Sequence, residues 1–373
     1  MKVLFAGGGT AGHINPAIAV ANYIQERHPE AELYYIGTQR GLESKLVPAA
    51  GIRFYTIDVE GFQRKLNWTN IKRNVSAASK LLSADRNARK LLQEIAPDVV
   101  MGTGGYVSGP VLREAAKLGI PCCIHEQNAF AGKANKMLAP HMDAVMLAMP
   151  EAAKYFKCKK EPVITGNPVR ESVIHANKRQ ARAALGLDDR LMILSFGGSL
   201  GARRINEAAA DLMAWHWQSG RFQHFHATGK YGVTLMPQLL KERGIDPNAE
   251  NLHITEYINN MDTMLAAADL VLCRAGAITV SELQAQGKPA ILIPSPNVAE
   301  NHQFFNAMTL VNKNAARILE EKDLTAKSIV SVARELLDDP GKLDELASNA
   351  RKSAILDTNE RIYNVIMALY ASR

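Results

Sequence analysis

The chain has 373 residues, of which 47% are hydrophobic and 22% charged. That is enough for two ordinary cores and typical of a globular protein. No apolar run approaches the roughly 18 residues that span a bilayer. Lys2 leads straight into VLFAGGG rather than into a secretory leader, so a cytoplasmic protein is expected. The net charge is +7, and all of the excess lies in residues 1–165, with 21 Lys and Arg against 14 Asp and Glu. An acidic partner for that half is expected. Cys122, Cys123, Cys158 and Cys273 show no metal-ligand spacing and read as reduced thiols.

In chain order, strand-like runs fall at 2–6, 32–36, 53–57, 99–101, 121–124 and 144–148. A helix is expected over 16–27, opened by Pro16. The rhythm pauses at KKEPVITGNP, near 159–168, a connection marked by Pro and Gly. It restarts at 191–196 and continues at 224–227, 251–255, 270–273 and 290–293. Strands alternating with helices predict parallel sheets built from βαβ units. The restart predicts an α/β chain of two doubly wound domains. The expected division is 1–165 plus the tail 356–373 against 166–355. The tail reads as a helix with Ile362, Val365, Ile366 and Leu369 on one face.

Four turns that follow predicted strands carry small residues: Gly7–Gly12, Gly102–Tyr106, Gly197–Ala202 and Arg274–Ala277. Such turns let backbone N–H groups approach an anion, and the helix that follows adds a positive end. Open α/β sheets bind ligands at this edge. Four anion sites lining a cleft are therefore expected. Gly7-x-Gly9-x-x-Gly12 also matches the dinucleotide fingerprint, which leaves an NAD(P)-dependent oxidoreductase as an alternative. The acidic residue such a site wants at the end of the second strand is missing, because that strand runs into Gly37-Thr38-Gln39-Arg40.

The blocks GGGTAGHINPAIAVA, GTGGYVSGP, HEQNAFAG, GNPVR, GGSLGARRIN, RAGAITVSEL and ENHQFFNA occur in this order from residue 7 to about 307. Together they resemble the MurG family, the UDP-N-acetylglucosamine:undecaprenyl-diphospho-muramoylpentapeptide N-acetylglucosaminyltransferases. The chain departs from the family at Ala11, where Gly is frequent, and at His302-Gln303, where some members carry two glutamines. The resemblance implies a GT-B fold, two Rossmann-like domains facing across a cleft. It implies inverting transfer of GlcNAc from UDP-GlcNAc to the 4-hydroxyl of MurNAc in lipid I, giving lipid II and UDP. Other GT-B enzymes, a diacylglycerol glycosyltransferase or a UDP-GlcNAc epimerase, are the near alternatives.

This chemistry needs a base for the acceptor hydroxyl. His13 is the first candidate, since an imidazole pKa of about 6.5 suits a base near neutrality; Glu126 competes. For UDP-GlcNAc the resemblance implies Thr10, Ala11, Gly12, Asn128, Arg170, Ser199, Ile258, Ala277, Ile278, Thr279, Val280, Ser281, Glu282 and Gln303. Glu282 would take the ribose hydroxyls, the Ile258 backbone would read uracil, and Arg170 would neutralise the leaving diphosphate. Glu300 and Asn306 are neighbours with less support. Gly104, Gly105 and Tyr106, with Ser108, are expected to hold the acceptor. No resident cofactor or metal is expected, although a divalent ion could assist the diphosphate.

Between residues 64 and 90 lie eight basic residues (among them Lys72, Arg73 and Lys80) and one acid, interleaved with Leu66, Trp68, Ile71 and Val75. A basic, apolar segment of this kind can dock on anionic lipid. Peripheral attachment to the inner face of the cytoplasmic membrane is therefore expected. A solvated helix with an ordinary core face is the alternative. No nucleic-acid module accompanies the segment. Other cell-wall synthesis proteins are further candidate partners.

Overall fold

The computed structural model describes residues 1–59 and 83–372. It divides into unit 1, Met1–Pro168 with Asp357–Arg373, and unit 2, Val169–Leu356. Among the described residues unit 1 holds seven strands: β1 (Lys2–Gly7), β2 (Glu32–Gly37), β3 (Arg53–Thr56), β4 (Val99–Gly104), β5 (Cys122–Glu126), β6 (Ala144–Leu147) and β7 (Val163–Ile164). All pair in parallel, in the order β3-β2-β1-β4-β5-β6-β7. The strand order reverses between β1 and β4. The Gly-rich ends of those two strands therefore meet at the switch point, where open sheets bind ligands.

Alternation along each strand explains the two cores of unit 1. Val3, Phe5, Tyr35, Met101 and Cys123 face one side, with Ile14, Val20 and Ile24 of the helix Ala11–Arg27. Leu4, Ala6, Ile36, Val100 and Ile124 face the other, with Val111 and Leu112 of the helix Ser108–Lys117. The first helix starts five residues before the expected Pro16, after Thr10 in extended conformation. Pro16 lies inside it and is buried. Its missing N–H removes one intrahelical hydrogen bond, and the rest of the helix tolerates that loss.

The tail forms the helix Thr358–Ala371. Ile362, Ile366 and Leu369 enter the same core as Val20 and Ile24. Each fully buried aliphatic side chain contributes about 1.5–3 kcal/mol, so these three hold the helix on unit 1. At the same contact the Tyr363 hydroxyl lies 2.8 Å from His28 Nε2, and its ring meets Tyr23 edge-on at 5.8 Å.

Unit 2 holds β8 (Leu191–Phe196), β9 (Phe222–Ala227), β10 (Leu252–Thr255), β11 (Leu270–Cys273), β12 (Ala290–Leu292) and β13 (Arg317–Ile318). They form a second parallel sheet in the order β10-β9-β8-β11-β12-β13. Here the switch point lies between β8 and β11, again below two small-residue turns. β7 and β13 were not expected from the sequence. Each pairs through two residues at a sheet edge, too short for a periodic signal.

Candidate active site

In unit 1 the chain leaves β1 through Gly7, Gly8 and Gly9, and helix Ala11–Arg27 begins at once. Thr10 and Ala11 are exposed and Gly12 is half-buried. Under this turn sits Glu43, fully buried. Its Oε2 accepts the Gly9 N–H at 3.2 Å, and its Oε1 accepts the Thr38 N–H and hydroxyl at 3.0 and 2.7 Å. Burial pushes the Glu43 carboxyl up, but these hydrogen bonds outweigh it and hold the group below the ordinary carboxylate range. A Cβ at Gly8 would come within 2.6 Å of Glu43 Oε1. In the first turn the Gly9 N–H is thus already taken from beneath by the protein's own carboxylate.

His13, in the first turn of the helix, is half-buried. Its Nδ1 lies 3.0 Å from Gln127 Oε1, and among the described residues nothing hydrogen-bonds its Nε2. The ring rests on Gly104, where a Cβ would stand 2.9 Å from His13 Cε1. Gly105 (φ +83°) brings the second turn against the first, since a Cβ there would meet the Gly8 carbonyl oxygen at 2.4 Å. Only glycine satisfies both that approach and that left-handed φ. Tyr106 projects into solvent, 62% exposed. Ser108 does not join it. Its buried hydroxyl accepts the Gly104 N–H at 3.1 Å and lies 2.8 Å from the Ala6 carbonyl oxygen. Ser108 therefore shapes the turn and is removed from the acceptor-binding candidates.

Glu126 ends β5 and is buried. Its Oε1 accepts the backbone and side-chain N–H groups of Asn128, both at 3.1 Å. Its Oε2 accepts from the Gly132 N–H and Asn135 Nδ2, both at 2.9 Å. A carboxylate offers about four lone-pair sites, and all four are filled from within the loop 127–135. In this structure the residue braces the loop and positions Asn128.

In unit 2 the turn after β8 has the same form and a different filling. Gly201 (φ +82°) would place a Cβ 2.2 Å from the Thr228 carbonyl oxygen, so glycine is required there as well. Its N–H is donated to the Gly198 carbonyl at 2.9 Å. Among the described residues no carboxylate reaches the N–H groups of this turn. Ser199 is exposed at its tip, and the helix Arg203–His216 follows, with no acidic residue in its first turn. The resulting open positive end suits a diphosphate.

Beside it, after β11, Gly276 caps the helix Ala277–Gln286. Ala277, Ile278 and Thr279 form its first turn, Val280 N–H closes onto Gly276 O at 2.9 Å, and the Ser281 hydroxyl donates to Ala277 O at 3.1 Å. One turn further, Glu282 meets Arg170, with Oε1 3.1 Å from Nη2. Burial pushes the Glu282 carboxyl up, and the Arg170 guanidinium pulls it back. The neighbouring Glu171 pairs instead with His175 at 3.0 Å. Two residues expected at the nucleotide are therefore brought together here.

Gln303 Oε1 accepts the Ser295 N–H at 2.9 Å, and buried Asn306 donates to the Ala275 carbonyl at 3.2 Å. Both tie helix His302–Val311 to the loops after β11 and β12. Glu300 and Asn301 stand in that approach with φ of 56° and 51°, a left-handed pair that costs roughly 1–2 kcal/mol at a residue such as Glu. Ile258, in the loop after β10, lines a cavity of ≈ 250 Å³ with Thr255, Tyr257, His226 and Met264.

Lys72, Arg73 and Lys80, with Leu66, Trp68, Ile71 and Val75, lie outside the described residues. In the adjoining helical stretch 83–95, Ala84, Ala88, Leu92 and Ile95 enter the core of unit 1. There Arg89 pairs with Glu114 at 3.3 Å and Asp85 with Arg113 at 2.7 Å. Among the described residues no helix is long and apolar enough to cross a membrane, and no three His, Cys, Asp or Glu side chains gather as metal ligands.

Two family models match this chain: the glycosyltransferase family 28 N-terminal domain over residues 3–147 and the family 28 C-terminal domain over residues 192–362. The chain belongs to glycosyltransferase family 28. The matched ranges of this family 28 chain take in β1–β6 of the first sheet, the second sheet from Met192 on, and the turns after β1, β4, β8 and β11. A relative from Acetivibrio thermocellus is 44% identical over 98% of this chain and 97% of its own length. One from Ruminiclostridium cellulolyticum is 43% identical over 98% and 99%. Both are named UDP-N-acetylglucosamine–N-acetylmuramyl-(pentapeptide) pyrophosphoryl-undecaprenol N-acetylglucosamine transferase. The crystal structure of MurG from Acinetobacter baumannii matches with a TM-score of 0.80 at 30% identity, covering 98% of this chain and 99% of that one. The family 28 chain therefore has the GT-B class of fold, with two doubly wound parallel sheets.

Glu43 and Gln127 were missed by sequence reasoning. Gln127 stood inside the quoted HEQN block, but nothing local said which of its side chains faces His13, 114 positions away. Glu43 acts on Gly9, 34 positions away, and belongs to no motif.

Proposed function

We propose that this chain transfers N-acetylglucosamine from UDP-GlcNAc to the 4-hydroxyl of MurNAc in lipid I, releasing lipid II and UDP with inversion at the anomeric carbon. The observation that carries this reading is the near-complete match, at 42–44% identity, to relatives named for that activity. An oxidoreductase reading would need a carboxylate free for a ribose at the end of β2. The nearest one, Glu43, is consumed under the first turn.

In this reading the two units divide the work. Unit 2 holds UDP. The N–H groups around Ser199 and the first turn Ala277–Thr279 take the diphosphate, and Glu282 accepts from the ribose hydroxyls, with Val280 and Ser281 setting its helix. The Ile258 backbone pairs with uracil, and Gln303 reaches the sugar. Arg170 meets the charge that grows on the departing diphosphate. Unit 1 presents the acceptor along Gly104, Gly105 and Tyr106. His13 Nε2 takes the proton of the attacking hydroxyl as the new bond to C1 forms and the bond from C1 to the UDP oxygen breaks. Thr10, Ala11, Gly12 and Asn128 are assigned to the donor sugar. UDP is a good leaving group and Arg170 is at hand, so turnover in EDTA is expected to continue, with divalent ions at most stimulatory.

The reaction meets a lipid-linked acceptor, and the basic stretch 64–90 suits anionic lipid at the inner face of the membrane. Changing Lys72, Arg73 and Lys80 to Glu is expected to lower binding to anionic vesicles while UDP-GlcNAc affinity stays the same. Unchanged vesicle binding would remove the membrane assignment. The central experiment is UDP release from UDP-GlcNAc with and without a short-chain lipid I analogue. Release that requires the analogue supports the transferase; UDP-GlcNAc consumed equally well without an acceptor would overturn it in favour of an epimerase.

A further inference from the structure

Gln127 is 1% exposed, and its amide nitrogen is surrounded by acceptors. Nε2 lies 2.9 Å from the Thr103 carbonyl oxygen, 3.1 Å from the His125 carbonyl oxygen and 3.2 Å from His125 Nδ1. His125 is itself fully buried, with Nε2 2.9 Å from the Gly166 carbonyl oxygen. A carbonyl only accepts, so the His125 proton sits on Nε2 and its Nδ1 is bare. Burial holds this ring neutral, with its pKa pushed down to about 4. The amide of Gln127 therefore has one workable orientation, with NH2 toward Thr103 and His125 and Oε1 toward His13. The backbone is clamped too, because the Gln127 carbonyl accepts from Asn167 Nδ2 at 3.1 Å.

An amide oxygen has no hydrogen to give. His13 Nδ1, 3.0 Å away, must be the protonated nitrogen, and the lone pair of the neutral ring is left on Nε2. We infer that Gln127 is a positioning residue for the transfer: held by His125 and Thr103, it fixes His13 in the Nδ1–H tautomer and so aims the basic Nε2 at the acceptor hydroxyl. The directional chain runs from the Gly166 carbonyl through His125 and Gln127 to His13. It plays the part a carboxylate plays behind the histidine of a Ser-His-Asp triad, with a neutral amide in its place. This inference rests on His13 as the base in the reading above.

The test reads the tautomer without turnover. Protein labelled with 15N-histidine is examined by long-range 1H–15N correlation at about pH 8.5, two units above the ordinary imidazole pKa of about 6.5. The His13 signal is assigned by its loss in His13→Gln. The expected result is Nδ1–H for wild-type His13. Gln127→Met keeps the side-chain length and removes the acceptor; it is expected to release the ring to the Nε2–H form and to lower kcat roughly tenfold to a hundredfold. KM for UDP-GlcNAc should stay within about twofold. Gln127→Glu restores an acceptor for Nδ1–H and should keep the Nδ1–H form, with turnover above that of Gln127→Met. A merely space-filling role predicts the opposite order, since burying a carboxylate is worse than burying a thioether. An Nε2–H ring in the wild type, or an Nδ1–H ring that persists in Gln127→Met, would overturn the inference. The wild-type spectrum decides even if the Met variant does not fold. If the transferase reading alone fails, UDP release disappears while the tautomer result stands.

Discussion

The two units begin in the same way and fill their first turns differently. After β1, Gly9 gives its N–H to Glu43 from beneath. After β8, the matching turn satisfies itself through backbone groups and leaves Ser199 exposed at the tip. The same glycine-rich strand-to-helix geometry thus comes with different partners: a built-in carboxylate on the Gly9 N–H in unit 1 and, among the described residues, no carboxylate in unit 2. A Gly-rich turn reports a backbone shape. Its ligand is decided by what the rest of the chain places underneath. That is why the dinucleotide-like spacing at residues 7–12 misleads, and why the stronger case for the diphosphate lies in unit 2.

The largest expected effect breaks the chemistry in unit 1 and spares binding in unit 2. His13→Gln should lower kcat by about 10²–10⁴-fold, with UDP-GlcNAc affinity by calorimetry changed less than about twofold. A parallel loss of affinity would place His13 among the donor contacts. Next comes Glu43→Ala, which removes the acceptor of the part-buried donors of Gly9 and Thr38. It should cost about 1–2 kcal/mol, and hydrogen exchange should show the loss in unit 1 while unit 2 keeps its protection. Loss spread evenly over both units would deny that Glu43 is a local brace.

Acid should reverse that order. In unit 2 a buried chain runs from His216 Nε2 to His224 Nδ1 at 3.0 Å, and from His224 Nε2 through the Ser195 hydroxyl to His226 Nδ1 at 2.9 and 2.8 Å. Burial pushes His216 and His226 down to about 4, and His224 below its ordinary value. The unfolded chain then binds more protons than the folded one between about pH 6.5 and 4, so stability falls as the pH drops through that window. One such histidine costs about 2 kcal/mol at pH 5. Among the described residues of unit 1 one ring is comparable, His125. Unit 2 should therefore lose exchange protection first on going from pH 7 to 5. The smallest effect sharpens the binding half of the comparison: Glu282→Ala should weaken UDP by about tenfold to a hundredfold, the worth of charged hydrogen bonds to ribose, without altering anion-independent stability in unit 1.

Long apolar runs made most of the fold legible. β8 and β11 appear at their full extents because each is a continuous buried run stopped by a small-residue turn. The tail helix was legible from its face, and Ile362, Ile366 and Leu369 are indeed buried, with Val365 partly so. The start of the first helix was not. Pro16 mimics a helix-opening proline, and only tertiary burial of Ile14 and Pro16 carries the helix back to Ala11. At the candidate site, His13, Glu126, Arg170 and Glu282 stood out as chemical types. Their states did not, because the saturation of Glu126, the pairing of Arg170 with Glu282 and the amide behind His13 are all set by partners from other parts of the chain.

The tail helix has a consequence for how the molecule is made. The core around Val20 and Ile24 is completed by Ile362, Ile366 and Leu369, yet the whole of unit 2 lies between them in the chain. At about 5–20 residues per second on the ribosome, the first unit to emerge must wait roughly 10–40 s for its last wall. Meanwhile the intervening unit has all of its strands in one uninterrupted stretch. The unit that is synthesised first is thus the one that finishes second. A nascent chain stalled before residue 357 would display an unsealed groove along the helix Ala11–Arg27, a natural handle for a chaperone.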